Sequence, residues 1–373
     1  MHTKTVKLDA TKIDSTQINK AATLVDAGGL VAFPTETVYG IACRVKSDSL
    51  AKLNDIKGRD FNKYYTLHIG QKSDVNKYVP TIGLRIKKLI KNAWPGPLTI
   101  VFALDRKDID KQKKKLEKEV FEELYNNTSI GIRCPDDAVA AMLLQAIHNP
   151  VVAPSANIAG QPPAFEADEV LAQLSGQIEL LLDAGACKYK KSSTVVKIGK
   201  TDLEILRPGV YSQADLETMS TVNFLFVCTG NTCRSPMAEW IFRKYLAEKL
   251  RCKVDQLHKI GYKVSSAGVM DMAGLPASAG AITACSAKGI EITAHGSKGL
   301  TKELIEQSDL IFAMERIHRE RIISLVPGAA DKCFLLAGDK GISDPIGHPQ
   351  EFFNSCAEMI EASVKERISE FVI

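Results

Sequence analysis

The chain has 373 residues, 45% of them apolar and 25% charged, which is the composition of a globular protein too long for one ordinary core and suited to two domains. Its formal charge is +4, with 30 Lys and Arg against 25 Asp and Glu in residues 1–215 and 18 against 19 in residues 216–373, so neither part has the strongly basic balance of a nucleic-acid binder. No apolar run approaches the roughly 18 residues of a membrane span, residues 1–7 lack the apolar core of a signal peptide, and nine cysteines without a C-x-x-C pair point to a reducing cytoplasm.

In chain order, Thr16 to Ala27 is helix-like and stops at Gly28-Gly29, a common helix end. Leu30 to Phe33 reads as a strand, and Leu50, Leu53 and Ile56 give an apolar face to a helix beginning near Asp48. The charged stretch Asp105 to Glu123, with Lys113-Lys114-Lys115, reads as a solvated helix or loop. Asp136 to His148 is an amphipathic helix, and Pro150 to Ala153, Ile178 to Leu182, Thr194 to Ile198 and Leu203 to Leu206 are strands. This half is α/β, with its sheet order open. A short connector or linking helix, residues 214–222, separates a domain at 1–213 from one at 223–373.

The second domain alternates strand and helix: Phe224 to Val227, Pro236 to Leu250, Lys263 to Ser265, Ser278 to Lys288, Leu310 to Met314 and Phe352 to Phe371. That alternation predicts a doubly wound parallel sheet, whose ligands sit at the carboxyl ends of the strands. Cys228 falls at such an end. The segment from Val227 to Pro236 joins a buried strand to a helix N-terminus through a tight polar loop. Inward backbone N–H groups and the helix dipole make such a loop a cradle for a phosphate. A cysteine at its base ionises readily, since thiolates are stabilised by helix N-termini and a nearby arginine.

From Asn223 to Ile373 the chain resembles the low-molecular-weight protein phosphatases, through Cys228-x5-Arg234-Ser235, Ser266-Ala267-Gly268, Ala313-Met314 and Asp344-Pro345. The resemblance implies that Cys228 attacks phosphorus to form a cysteinyl-phosphate and that Arg234 clamps the equatorial oxygens. It makes Ser235 a donor to the thiolate, Asn231 a shaper of the loop and Asp344 the general acid, then base. No cofactor is implied, and the partner is a phosphorylated protein. The string Cys-Thr-Gly-Asn-Thr-Cys-Arg-Ser looks like the bacterial arginine phosphatases. Thr232 stands where members acting on phosphotyrosine carry a bulkier aliphatic, and Ile346-Gly347 replaces an aromatic wall after Asp344-Pro345. The lost wall removes a stacking surface for a phenyl ring, although the arginine phosphatases carry an aromatic there too; the string as a whole favours phosphoarginine over phosphotyrosine.

Residues 1–215 resemble the threonylcarbamoyl-AMP synthase (YrdC-like) family, a twisted-sheet α/β fold. The resemblance rests on Pro34-Thr35-Glu36-Thr37-Val38-Tyr39-Gly40, Lys57-Gly58-Arg59, Leu67-His68-Ile69, Trp94-Pro95-Gly96-Pro97-Leu98-Thr99, Ile132-Arg133-Cys134-Pro135, Pro154-Ser155-Ala156-Asn157, Ser193 to Val196 and Leu206-Arg207-Pro208-Gly209. The family combines L-threonine, bicarbonate and ATP into threonylcarbamoyl-AMP and pyrophosphate for adenosine modification in tRNA. It implies Thr35, His68, Arg133, Ser155 and Ser193 on threonine, and Lys57, Arg59, Lys63, Ser129, Asn157 and Arg207 on the nucleotide. Mg²⁺ is expected with ATP through its phosphates, with no dedicated metal cage, and tRNA or tRNA-modification proteins are the implied partners. The chain departs from the family at Asp60, Tyr64, Tyr65 and Phe165, and Asp60 sets a negative charge beside the phosphate cations. The alternative is a first domain that binds RNA or nucleotide without catalysis and serves the phosphatase.

Overall fold

A computed structural model describes residues 2–58, 64–126 and 128–371. The chain forms two compact units, Met1–Ile82 with Ile86–Met219, and Ser220–Ile373 with Gly83–Arg85. The segment expected as a connector or linking helix is mostly helical. Gln213–Ser220 is a helix that belongs to the first unit up to Met219, and Val222 already opens the strand Val222–Cys228. Leu216 is fully buried in the first core, so the hydrophobic effect ties this short helix down.

The first unit is built on one twisted mixed sheet. Its strands run in the order Lys4–Lys7, Leu180–Asp183, Val31–Phe33, Gly40–Arg44, Val151–Val152, Leu67–His68, Ser129–Arg133, Leu98–Ala103, Thr194–Ile198 and Leu203–Arg207, and Tyr125–Asn126 pairs with Ser129–Arg133. Alternate residues feed opposite layers: Leu30, Ala32 and Ile41 join one apolar cluster, while Val31, Phe33 and Ala42 join another. Burial on both faces is why these strands read as unbroken apolar runs.

Helix Ser15–Asp26 starts where the Asp14 carboxylate accepts the Thr16 N–H at 2.8 Å, an ordinary N-cap. Helix Ser47–Lys57 ends on Gly58 in the left-handed region, φ 56°, where glycine carries no side-chain penalty. The lysine-rich stretch forms the helices Arg106–Lys115 and Lys118–Leu124. Asp105 caps the first through the Asp108 N–H at 2.8 Å, and Lys113, Lys114 and Lys115 complement its C-terminal dipole.

The second unit is a four-stranded, all-parallel sheet in the order Tyr262–Gly268, Val222–Cys228, Leu310–Ala313 and Cys333–Leu335. Phe224 and Phe226 point to one layer and Leu225 and Val227 to the other. On the first face Phe224, Phe226, Phe242 and Phe312 pack ring to ring at centroid distances of 4.7 to 6.4 Å, each fully buried ring contributing roughly 1.5–3 kcal/mol. Helices Arg234–Leu250 and Gln350–Glu370 cover that face. None of the nine cysteines is in a disulfide, and no described helix is long and apolar enough to cross a membrane.

Candidate active sites

In the first unit, strand pairing assembles what the sequence scatters. His68 is the register partner of Arg133, Arg133 also faces Thr99, and Gly40 bridges to Ser155. Strand Thr194–Ile198 continues beside Leu98–Ala103 and brings Ser193 with it. A cavity of about 230 Å³ results, lined by Thr35, Lys57, His68, Arg133, Ser155, Ser193 and Arg207, with Thr99, Ser192, Tyr64 and Tyr65.

Each cation there is held by oxygens. The buried Lys57 ammonium donates to the carbonyls of Ser155 and Asn157, both at 2.6 Å, and lies 3.3 Å from Asn157 Oδ1. Asn157 thus touches the Lys57 ammonium and does not itself line the cavity. Arg133 donates from Nη2 to Glu36 at 2.8 Å and to the Thr37 hydroxyl at 2.6 Å, while its buried Nε and Glu36 Oε2 have no partner among the described residues. Arg207 donates to the Ser193 carbonyl at 2.9 Å and hydroxyl at 3.0 Å. Burial and then the Arg133 charge lower the Arg207 pKa, as expected where like charges converge. Gly209 permits this approach, because a Cβ there would sit 2.2 Å from the Thr194 nitrogen.

His68 is neutral. Burial, then the Arg133 charge, push its pKa down to about 3. Its Nδ1 lies 3.1 Å from the Thr66 carbonyl, an acceptor only, so Nδ1 carries the proton and Nε2 is left to accept. Ser129 opens the strand that Arg133 closes, four residues or roughly 13 Å away, and does not line the cavity. Arg59, Lys63 and Asp60 lie outside the described residues. Tyr64 adds an aromatic wall and Tyr65 donates to Asn54 at 2.6 Å, whereas Phe165 is outside the lining.

In the second unit Cys228 closes its strand and the helix begins at Arg234. The Cys228 sulfur lies 2.9 Å from the Ser235 hydroxyl. Asn231 takes the left-handed conformation, φ 56°, that asparagine tolerates best after glycine. It donates from Nδ2 to Ser235 and Ser266, both at 2.9 Å, and accepts the Lys298 N–H at 2.9 Å. Ser266 in turn donates to Glu239 at 2.6 Å, and His295 Nε2 is 2.7 Å from the Asn231 carbonyl. Gly268 lets this support reach the loop: a Cβ there would lie 2.7 Å from the Thr229 oxygen.

Arg234 is 1% exposed. Its Nη1 donates to Glu315 and to the Ile342 carbonyl, and its Nη2 to Asp344 and to the Thr229 hydroxyl at 3.0 Å. Its buried Nε has no acceptor among the described residues, a vacancy that a phosphoryl oxygen would fill. The sequence reading placed Cys228, Asn231, Arg234, Ser235 and Asp344 together, and they lie together here. It assigned no role to Glu239, Ser266, His295, Glu315 or His318. Two signals were available: Ser235, Glu239 and Arg243 share a helix face at spacing four, and Glu315 follows the carboxyl end of a parallel strand. Thr232 is half-buried beside Cys233, 3.7 Å from its sulfur, and Ile346 is 60% exposed.

Residues 23–209 match the Sua5/YciO/YrdC family model, described as telomere recombination, and residues 223–371 match the low molecular weight phosphotyrosine protein phosphatase model. A Bacillus subtilis threonylcarbamoyl-AMP synthase is 32% identical over 223 residues, 59% of this chain and 62% of that protein. The chain thus spans under two thirds of that relative's length. A low molecular weight protein tyrosine phosphatase from T. tengcongensis is 35% identical over 40% of this chain and 100% of its own, with a TM-score of 0.36. A mutant of the YwlE arginine phosphatase is 31% identical over 40% of this chain and 97% of its own, with a TM-score of 0.35. The chain belongs to the Sua5/YrdC family through its first unit and carries a low-molecular-weight protein phosphatase domain in its second.

Proposed function

We propose that the chain is a bifunctional enzyme that makes L-threonylcarbamoyl-AMP and dephosphorylates proteins. The observation that carries the first activity is the convergence of Lys57, Arg133 and Arg207 on one cavity beside a neutral histidine. Arg133 receives the threonine carboxylate, a fork that suits its planar guanidinium. His68 Nε2 accepts from the threonine ammonium or hydroxyl, with Thr35, Ser155 and Ser193 around it. Lys57 and Arg207 face the phosphates. Threonine and bicarbonate condense to a carbamate with loss of water. A carbamate oxygen then attacks the α-phosphorus of ATP, and the bond to pyrophosphate breaks. Placement of the two reactants and stabilisation of the leaving charge supply the catalysis. Magnesium would accompany ATP through its phosphate oxygens.

In the second unit the supporting observations are the buried, unpartnered Nε of Arg234 and the Cys228–Ser235 contact in the same loop. The Cys228 thiolate attacks phosphorus, the bond from phosphorus to the leaving nitrogen or oxygen breaks, and Asp344 supplies the leaving group's proton. Asp344 then takes a proton from water, which attacks phosphorus, breaks the P–S bond and releases phosphate. Phosphoarginine is the favoured substrate, since Thr232 offers a hydroxyl at the loop and Ile346 offers no ring for a phenyl group.

A substrate panel tests these assignments. Pyrophosphate release should require threonine and bicarbonate together. RNA binding without that release would leave a non-catalytic first unit. The intact chain should hydrolyse an aryl phosphate and its Cys228→Ser variant should not. Comparable turnover of phosphoarginine and phosphotyrosine, unaltered by Thr232→Ile, would remove the arginine preference.

A further inference from the structure

Resting on the phosphatase assignment, a second set of contacts to Arg234 extends the site beyond the loop. Helix Arg316–Leu325 starts directly after Glu315, and His318, 1% exposed, occupies its third position. The Glu315 backbone N–H donates to His318 Nδ1 at 3.1 Å. Burial, then the Arg234 charge, hold the ring neutral. A neutral ring that accepts at Nδ1 carries its hydrogen on Nε2, and Nε2 lies 2.9 Å from Thr229 Oγ1. Thr229 Oγ1 also accepts from Arg234 Nη2 at 3.0 Å. Both hydroxyl lone pairs are therefore taken by donors whose directions are fixed.

Arg234 Nη2 has two side-chain acceptors, Asp344 and Thr229. A general acid must leave the guanidinium to reach the departing group. Thr229 then remains as the side-chain acceptor that keeps Nη2 in place. We infer that Thr229 and His318 form a positioning pair: the imidazole orients the threonine hydroxyl, and the hydroxyl holds the Arg234 guanidinium in plane while Asp344 is engaged elsewhere. Neither residue touches the phosphoryl group in this scheme. The contribution belongs to the step in which Asp344 works, so it appears in turnover more than in binding.

Thr229→Val tests the pair without touching the helix cap. Aryl phosphate hydrolysis by the intact chain should lose about ten- to a hundred-fold in kcat, the scale of a charge-assisted hydrogen bond. KM, inhibition by vanadate and the thermal transition followed through Trp240 should stay near wild type. Thr229→Ser should retain most of the turnover. Adding His318→Leu to Thr229→Val should not multiply the loss, because coupled residues act as one unit. Wild-type kcat in Thr229→Val, equal damage in Thr229→Ser, or losses that multiply would each overturn the inference. An inactive wild-type protein would instead remove the phosphatase assignment beneath it.

Discussion

Replacing Asn231 probes how the phosphate loop is held. Asn231→Ala deletes three hydrogen bonds at 2.9 Å, those to Ser235 and Ser266 and that from the Lys298 N–H, each worth about 1 kcal/mol. It also leaves an alanine in the left-handed conformation, at a cost of about 1–2 kcal/mol. The second unit should therefore lose roughly 4 kcal/mol of stability. Asn231→Gly deletes the same bonds but fits φ 56°, so it should be about 1 kcal/mol better than alanine. The chain has two tryptophans, Trp94 in the first unit and Trp240 in the second, and in a Trp94→Phe background urea unfolding read by fluorescence reports the second unit alone. Turnover of an aryl phosphate should fall by at least about tenfold in both variants, since Ser235 loses a partner that orients it toward the sulfur. An alanine variant within about 1 kcal/mol of the parent, or no more unstable than glycine, would falsify the view that this side chain and its backbone conformation fasten the loop.

Two further outcomes follow from the first unit. His68 titrates at about 3 in the folded chain against about 6.5 for a free imidazole, so the unfolded chain binds the extra proton between those values. Its contribution is complete above pH 6.5 and is lost as pH falls toward 3. At about 1.36 kcal/mol per unit, moving from pH 7 to pH 5 should cost about 2 kcal/mol, read as a shift in the urea midpoint through Trp94, and His68→Gln should lose that much less. Leu216→Ala should destabilise the first unit by about 2–5 kcal/mol, as a truncated buried leucine does. Calorimetry showing an unchanged first transition would instead restore helix Gln213–Ser220 to the status of a loose tether.

Several elements were readable because their signals are local. Strand Thr194–Ile198 matches its expected bounds, and the expected helices near Asp48 and from Pro236 appear as Ser47–Lys57 and Arg234–Leu250. Short-range periodicity and helix-ending glycines are properties of neighbouring residues. The Cys228–Ser235 constellation was equally readable, since one strand, one turn and one helix start hold all of it. The packing of the segment at 214–222 was not readable, for the opposite reason. Nothing in Ser212 to Ser220 announces that Leu216 fills a distant core.

The amino-acid order thus determined the alternation of strands and helices, the two-unit division and the phosphate loop, all of which depend on residues close together along the chain. Tertiary structure decided what depends on pairing across long loops. It set Arg133 beside His68 and Thr99, gave Lys57 the carbonyls of Ser155 and Asn157, and left Ser129 at the far end of its strand. It also brought Glu315 and Asp344 onto the two ends of one buried guanidinium. Backbone register fixes which side chains share a strand end, and buried cations settle wherever enough oxygens converge. Both are properties of the packed chain.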